Sequence, residues 1–320
     1  MTPGHSAFLH AAALRLGGML AVMLIVVSVV FVIVRVAPGD PAAVMLGPDA
    51  SAADVAALRS LWGLDQPIQA QYAAFLAQLA QGNFGRSIFL NQPVLTAILQ
   101  RAEPTALLTL FAIAIALAIA LPAGVLAALW RGSWFDRVVM TLCMAGASVP
   151  TFWLGLVLIE LFAVRLGALP ASGYGAPGAT ILDRVEHLVL PAVTLGLASS
   201  TLITRFTRAG MLDVLGEDYV RTARAKGLGE PRVVLRHALL TAALPILTVV
   251  GLTVAALISG AVVTETVFGL PGVGQLVISA VLRRDYPVIQ GALLVVAMLY
   301  VLINFAIDML CVAIDPRLRA

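Results

Sequence analysis

The chain's only lysine, Lys226, is followed by Gly227. A phosphate-binding loop needs a glycine-rich turn ending Gly-Lys-Ser or Gly-Lys-Thr, so that backbone N–H groups and the ammonium group cradle the phosphates. That pattern is absent, and ATP is not bound here in that way. Four histidines, His5, His10, His187 and His237, are scattered along the chain. None belongs to a His-Glu-x-x-His run or a Cys/His ligand spacing, so no metal site is expected. A Gly-x-Ser-x-Gly nucleophile turn is missing as well. Cys143 and Cys311 both lie in apolar runs, which rules out a disulfide-stapled secreted fold. These residues form no enzymatic constellation, and a non-catalytic protein without a cofactor is expected.

The visible chemistry is electrostatic, and it concentrates between Glu217 and Gly227. Glu217 and Asp218 stand where a helix N-terminus favours negative charge, and Arg224 and Lys226 where its C-terminus favours positive charge. Gly227 is a natural left-handed stop. Glu217 and Arg221 are spaced i,i+4 in the better orientation. The run predicts a helix of about ten residues, about 15 Å long. So short a helix is marginal alone in water and must dock. Ala223 and Gly227 permit close approach, while Tyr219, Val220 and Leu228 offer apolar anchors. A groove in a soluble partner, the membrane surface and the protein's own face are three docking sites that the residues leave open. Pro231 opens a further helix.

Around that motif the chain is apolar. Hydrophobic residues make up 61% and charged residues 12% of 320 residues. Mean hydropathy is +1.00. Soluble domains run nearer half apolar and a quarter charged, so an ordinary soluble enzyme is excluded, as is a disordered chain. An all-α polytopic membrane protein is expected. Six stretches have the roughly 20 apolar residues that a bilayer crossing needs. They are Leu14–Val36, Pro104–Trp130, Val138–Leu161, Leu188–Thr204, Pro245–Glu265 and Val288–Ile314. The first is read as an uncleaved anchor, because its apolar core exceeds that of a signal peptide and Arg35 spoils the cleavage site.

An even number of spans puts both termini on one side. Basic residues are densest in the segments on that side, Arg221, Arg224, Lys226, Arg232 and Arg236 among them. The positive-inside rule then predicts cytoplasmic termini, a cytoplasmic loop at about 210–241 and an external segment at 38–101. Residues 1–37 form the tail and first span, and 102–320 a five-helix core. The inner arginines follow topology, so nucleic-acid binding is not expected, and membrane lipid is.

In the external segment, Pro38-Gly39-Asp40-Pro41 is a turn that ends the first helix. Ser51-Ala52-Ala53-Asp54 is a capping box with Asp in place of Glu. The helix it starts stops at Gly63. A second begins near Pro67 with Ile68, Tyr72, Phe75, Leu76 and Leu79 on its apolar face. This is a small helical cap, with or without a role in docking an external partner. Ionisable groups within spans are functional candidates by default. Glu160 and Asp308 either reach an interface or line a path, alone or with Asn304. Thr194, Ser199, Ser200, Thr201, Thr253 and Ser259 either line a path or serve helix packing. Pro122, Pro150, Pro191 and Pro245 predict kinks.

The string Glu217-Asp218-Tyr219-Val220-Arg221-Thr222-Ala223-Arg224-Ala225-Lys226-Gly227 resembles the coupling-helix motif of bacterial ABC importer permeases, in particular their dipeptide/oligopeptide/nickel branch. Leu61-Trp62-Gly63-Leu64-Asp65-Gln66-Pro67 and Gly82-Asn83-Phe84-Gly85-Arg86-Ser87 resemble that branch's external segment. Glu265-Thr266-Val267-Phe268-Gly269-Leu270-Pro271-Gly272-Val273-Gly274, Arg284-Asp285-Tyr286-Pro287 and Asp315-Pro316-Arg317 are similar to its last third. The general permease pattern opens Glu-Ala-Ala where this chain has Arg221, Thr222 and Ala223. The branch commonly has Asp where Asn83 stands, and the closing Ile-x-Leu-Pro is absent at its usual spacing.

The resemblance implies a type I importer permease fold in the bacterial cytoplasmic membrane. It implies a homologous six-span permease, two ATP-binding subunits and an external substrate-binding protein as partners. Peptides are the implied solute, with nickel, glutathione or opines as alternatives. It also implies that Glu217, Asp218, Tyr219, Arg221, Ala223, Lys226 and Gly227 form the surface coupled to the ATPases. A stand-alone secondary transporter would need related halves with broken helices. No such repeat is visible. An intramembrane enzyme would need a nucleophile and base in the spans.

Overall fold

The structure, a computed structural model, describes residues 3–36, 41–47, 50–176, 178 and 180–314. Among them the chain is helical, with one isolated bridge between Arg86 and Pro93. The first seven helices are α1 (Pro3–Val36), α2 (Pro41–Leu46), α3 (Ala52–Leu61), α4 (Ile68–Ala80), α5 (Val94–Leu129), α6 (Trp134–Ser148) and α7 (Thr151–Leu158). A π-helical turn, Ile159–Arg165, extends α7. Then come α8 (Ile181–Leu215), α9 (Asp218–Ala225), α10 (Glu230–Arg232), a second π-helical turn (Val233–Ala238), α11 (Leu239–Val267), α12 (Val273–Arg283) and α13 (Tyr286–Ile314).

Among the described residues, five helices are long and apolar enough to cross a membrane, and the bent pair α6–α7 makes a sixth if its two pieces count as one span. The expected third span, Val138–Leu161, is therefore not one straight helix. Its halves meet at 102°. Pro150 is the reason, since a proline disfavours helical geometry in the residue before it. Val149 is extended, with φ −86° and ψ 124°. The other proline-containing spans run through: Pro104 and Pro122 lie inside α5, Pro191 inside α8 and Pro245 inside α11. The expected fourth span, Leu188–Thr204, is the middle of the 35-residue α8. Thr180 starts that helix with a complete capping box to Asp183. Polar first and last turns hid its length from a hydropathy reading.

α5 and α8 form the most extensive helix pair, with α11 against α8 next. Glycine sets how closely the first pair approaches. A Cβ on Gly124 would lie 2.7 Å from Thr207 Cβ, and one on Gly196 2.8 Å from Ile115 Cγ2. Leu108 and Ala112 of α5, Leu188 and Leu195 of α8, Leu257 of α11 and Phe268 form the largest buried cluster. α1 packs at the rim against α13. α3 starts at Ser51, whose hydroxyl accepts from Asp54 N, and Gly63 follows it at φ +66°. α4 rests on α1 through Tyr72 and Phe75 against Phe31, and the Tyr72 and Ser28 hydroxyls are 2.6 Å apart. The expected features at 38–40 and 315–317 lie outside the described residues.

Candidate functional site

α9 is amphipathic, and its two faces have separate tasks. Val220 and Ala223 turn inward and pack with Val233, Val214, Leu215 and Leu228. Of the three docking sites left open by the residues, the protein's own face takes this apolar stripe. The ends of α9 are fixed by backbone geometry. Gly227 N donates to Arg224 O and Leu228 N to Ala223 O, with Gly227 at φ +79°. That is a Schellman stop with its apolar closing residue, Leu228. Open space surrounds Gly227, so the left-handed backbone, not close approach, calls for glycine there.

The outward face is polar. Glu217, Asp218, Arg221, Arg224 and Lys226 are exposed. Arg221 pairs with Asp218, three residues back, rather than with Glu217. Arg224 binds both carboxylate oxygens of Glu230, at 3.1 and 2.7 Å, which straps α9 to α10. That carboxylate holds the Arg224 guanidinium above its ordinary pKa. Tyr219 is part-exposed, and its hydroxyl donates to His237 O at 3.3 Å and Thr241 Oγ1 at 3.0 Å. The geometry thus presents a charged surface on a helix fixed to the body at both ends. Ala223, read from sequence as a surface position, supplies packing.

The three intramembrane polar candidates do not come together. Glu160 lies on the π-helical turn after α7 and pairs with Arg165 at 3.1 Å. Asp308 pairs with Arg15 of α1 at 2.7 Å. Asn304 donates to Tyr300 O of its own helix, and with Asp308 it lines a crevice of about 410 Å³ between α1 and α13. Small hydroxyls line two other cavities. Ser200, Thr201 and Thr204 border one of about 410 Å³ beside the Pro150 bend. Ser199 and Thr253 border one of about 450 Å³ between α7, α8 and α11. Thr194 is buried and donates to Leu190 O.

Two charged nodes escaped the sequence reading. Asp136, at the start of α6, accepts two hydrogen bonds from Arg208 of α8 and one from Gly132 N. Glu265, at the end of α11, is fully buried without a cation among the described residues. Thr105 donates to its Oε1 at 2.5 Å and Gln275 N to its Oε2 at 3.0 Å, so the carboxylate caps the start of α12. Glu265 opens the Glu265–Gly274 string that carries the resemblance, but nothing in that string announced the burial of its carboxylate. Nearby, Glu103 accepts from Arg184 and from Tyr174, and burial first, then Glu103, raises the Tyr174 phenol pKa.

A long bent-span bundle with a short charged helix held at one end matches a known family. Residues 120–320 fit the profile of the binding-protein-dependent transport system inner membrane component, and residues 8–118 fit its N-terminal companion. The chain belongs to this family. It is a non-catalytic permease of an ABC importer, a multi-pass inner-membrane protein that works with ATPase subunits and a binding protein. It is 42% identical over 305 residues to the glutathione transport system permease protein GsiC of Escherichia coli K12, covering 95% of this chain and 97% of that one. The protein of the same name in Salmonella choleraesuis is 43% identical over the same share. An inward-facing structure of the MetNI methionine ABC transporter shares the fold, with a TM-score of 0.57 and 21% identity, covering 69% of this chain and 97% of that one.

Proposed function

We propose that this permease carries a glutathione-sized peptide, and that it does so beside a homologous six-span subunit. The observation that carries the solute is the identity with GsiC along nearly both whole chains. Glutathione is itself a small peptide, so the two readings of the solute meet there. Basic residues crowd the α9 end of the bundle, which supports a cytoplasmic location for that end and for both termini.

In this reading α9 is the coupling helix. Its outward face, Glu217, Asp218, Arg221 and Lys226 with Tyr219 and Gly227 at its edges, sits on an ATPase subunit. Its inward stripe passes the displacement to α8 and to the turn that leads into α11, because it packs on Val214, Leu215 and Val233. The cavity of about 450 Å³ between α7, α8 and α11, bordered by Thr151, Ser199 and Thr253, supports a path at that place in the bundle. The bundle then rocks between two states set by the ATPases.

The test is ATP-dependent uptake into vesicles holding the full complex. Labelled glutathione, a dipeptide, a pentapeptide and a nickel–histidine chelate are offered in turn. Glutathione or dipeptide uptake is expected. Uptake of the nickel chelate alone would overturn the peptide reading, and uptake by this chain without ATPase subunits would overturn the importer mechanism proposed for it.

A further inference from the structure

Asp285 is a second buried carboxylate without a cation among the described residues. It stands between α12 and α13, and it gathers a distant loop. Ser87 Oγ donates to its Oδ2 at 2.5 Å, and Ile88 N and Phe89 N approach it at 3.4 Å. Ser87 Oγ in turn accepts from Leu90 N at 2.9 Å. The 87–90 loop and the end of α12 are therefore one fixed knuckle. It lies at the end of the bundle opposite α9.

The knuckle presents apolar side chains next to charge. Leu282 is 79% exposed, Val281 53%, Phe89 46% and Leu90 40%. Arg283 and Arg284 stand beside them, with the Arg283 guanidinium 6.0 Å from the Phe89 ring centroid. The ion pairs among the described residues leave both arginines without a carboxylate. The adjacent acid, Asp285, is turned inward. Arg284 sits in the left-handed region at φ 56°, a conformation that non-glycine residues rarely hold unless the surroundings fix it.

We infer that this knuckle, Phe89, Leu90, Val281, Leu282, Arg283 and Arg284, is a docking surface for the external binding protein, seated by an apolar patch ringed with carboxylates. Arginine is among the residue types enriched in binding hot spots, and the apolar side chains beside it supply area to remove from water. Two unpaired guanidiniums select carboxylates by charge and by fork geometry. A surface already rigid in the free protein loses little entropy on binding. The family depends on a binding protein, which must touch the end away from the ATPases. The inference rests on the orientation proposed above.

The experiment measures the affinity of the complex in lipid nanodiscs for the purified binding protein that drives uptake by the wild type. Arg283→Glu with Arg284→Glu is expected to weaken binding on the order of tenfold or more at physiological salt. Arg283→Gln with Arg284→Asn, which suits the left-handed position, is expected to weaken it less. Leu282→Ala is expected to weaken it about fivefold, through the loss of buried apolar area. ATP hydrolysis without binding protein stays unchanged. Equal affinity of the wild type and all three variants would overturn the inference alone. So would loss of the second permease from the purified complex, or an effect seen only in anionic lipid. A wild-type complex that no binding protein engages would overturn the functional reading along with it.

Discussion

Asp136 and Arg208 meet fork to fork, Nε to Oδ1 at 2.6 Å and Nη2 to Oδ2 at 2.8 Å, and both are largely withdrawn from solvent. The pair joins the first turn of α6 to α8, with Arg208 seven residues before the end of α8 at Leu215. Removing one partner of a buried pair strands the other's charge, at a cost of about 3–5 kcal/mol. Asp136→Ala should therefore lower the thermal midpoint of the purified subunit markedly. Arg208→Lys keeps the charge but loses the fork, and its loss should be smaller. A thermal scan of both in detergent decides it, and equal midpoints would remove the pair from the account.

The two faces of α9 predict opposite phenotypes. Val220→Ala opens the buried stripe and should cost on the order of 1–3 kcal/mol of stability. Arg221→Glu with Lys226→Glu touches nothing buried and should leave the melting curve in place. That double variant should nevertheless abolish ATP-dependent uptake. Gly227→Leu puts a side chain on a backbone at φ +79° and should cost about 1–2 kcal/mol, whereas Gly227→Asn should cost less. Normal uptake by the charge-reversed variant would take the coupling role away from α9.

The α9 helix was legible because its signals are local: acids first, bases last, then glycine. Its docking site was not, since Val220 and Val233 belong to different helices and no spacing announces their contact. The spans were legible as apolar runs, but their ends were not. The first eight residues of α5, Val94–Arg101, read as part of the external segment because Gln100 and Arg101 interrupt the apolar run. The Pro150 kink was legible as a mark and not as an angle. Pro122 and Pro191 carry the same mark and their helices run through, so a proline in the sequence marks a candidate bend and does not by itself make one. Glu265 and Asp285 were invisible as a class, for a buried acid satisfied by backbone N–H groups leaves no partner residue type to search for.

Glycine at the α5–α8 contact makes a further stability prediction. Alanine usually strengthens a helix by about 1 kcal/mol relative to glycine. At Gly124 the new Cβ would meet Thr207 Cβ at 2.7 Å and Thr204 O at 2.8 Å, and at Gly196 Ala112 O at 2.9 Å. A backbone oxygen cannot swing away, so the helices must part. Gly124→Ala and Gly196→Ala should each destabilise, by about 1–3 kcal/mol for overpacking. Gly18→Ala in α1, where a Cβ meets nothing, should not. Three thermal scans separate packing from propensity, and stabilisation at Gly124 would show that α5 and α8 do not touch there.

Gly272 and Glu265 make the sharpest case, because each exists for the other. A Cβ on Gly272 would fall inside the Glu265 carboxylate, and one on Gly274 would lie 2.9 Å from Glu265 Oε2. The carboxylate in turn holds Gln275 N and the Thr105 hydroxyl, and that hydroxyl accepts from Val273 N at 2.9 Å. Glu265→Gln brings its own N–H donors up against a site made of donors. It should cost about 1–3 kcal/mol, the price of an unsatisfied buried group. Gly272→Ala should displace the carboxylate and release α12. Glu265→Ala removes the obstacle, so adding Gly272→Ala to it should cost little more. The double variant's loss should therefore fall well short of the sum of the two single losses, as expected for neighbours in one network. Thermal unfolding of the four proteins measures the cycle, and strict additivity would mean that the two residues do not share a site.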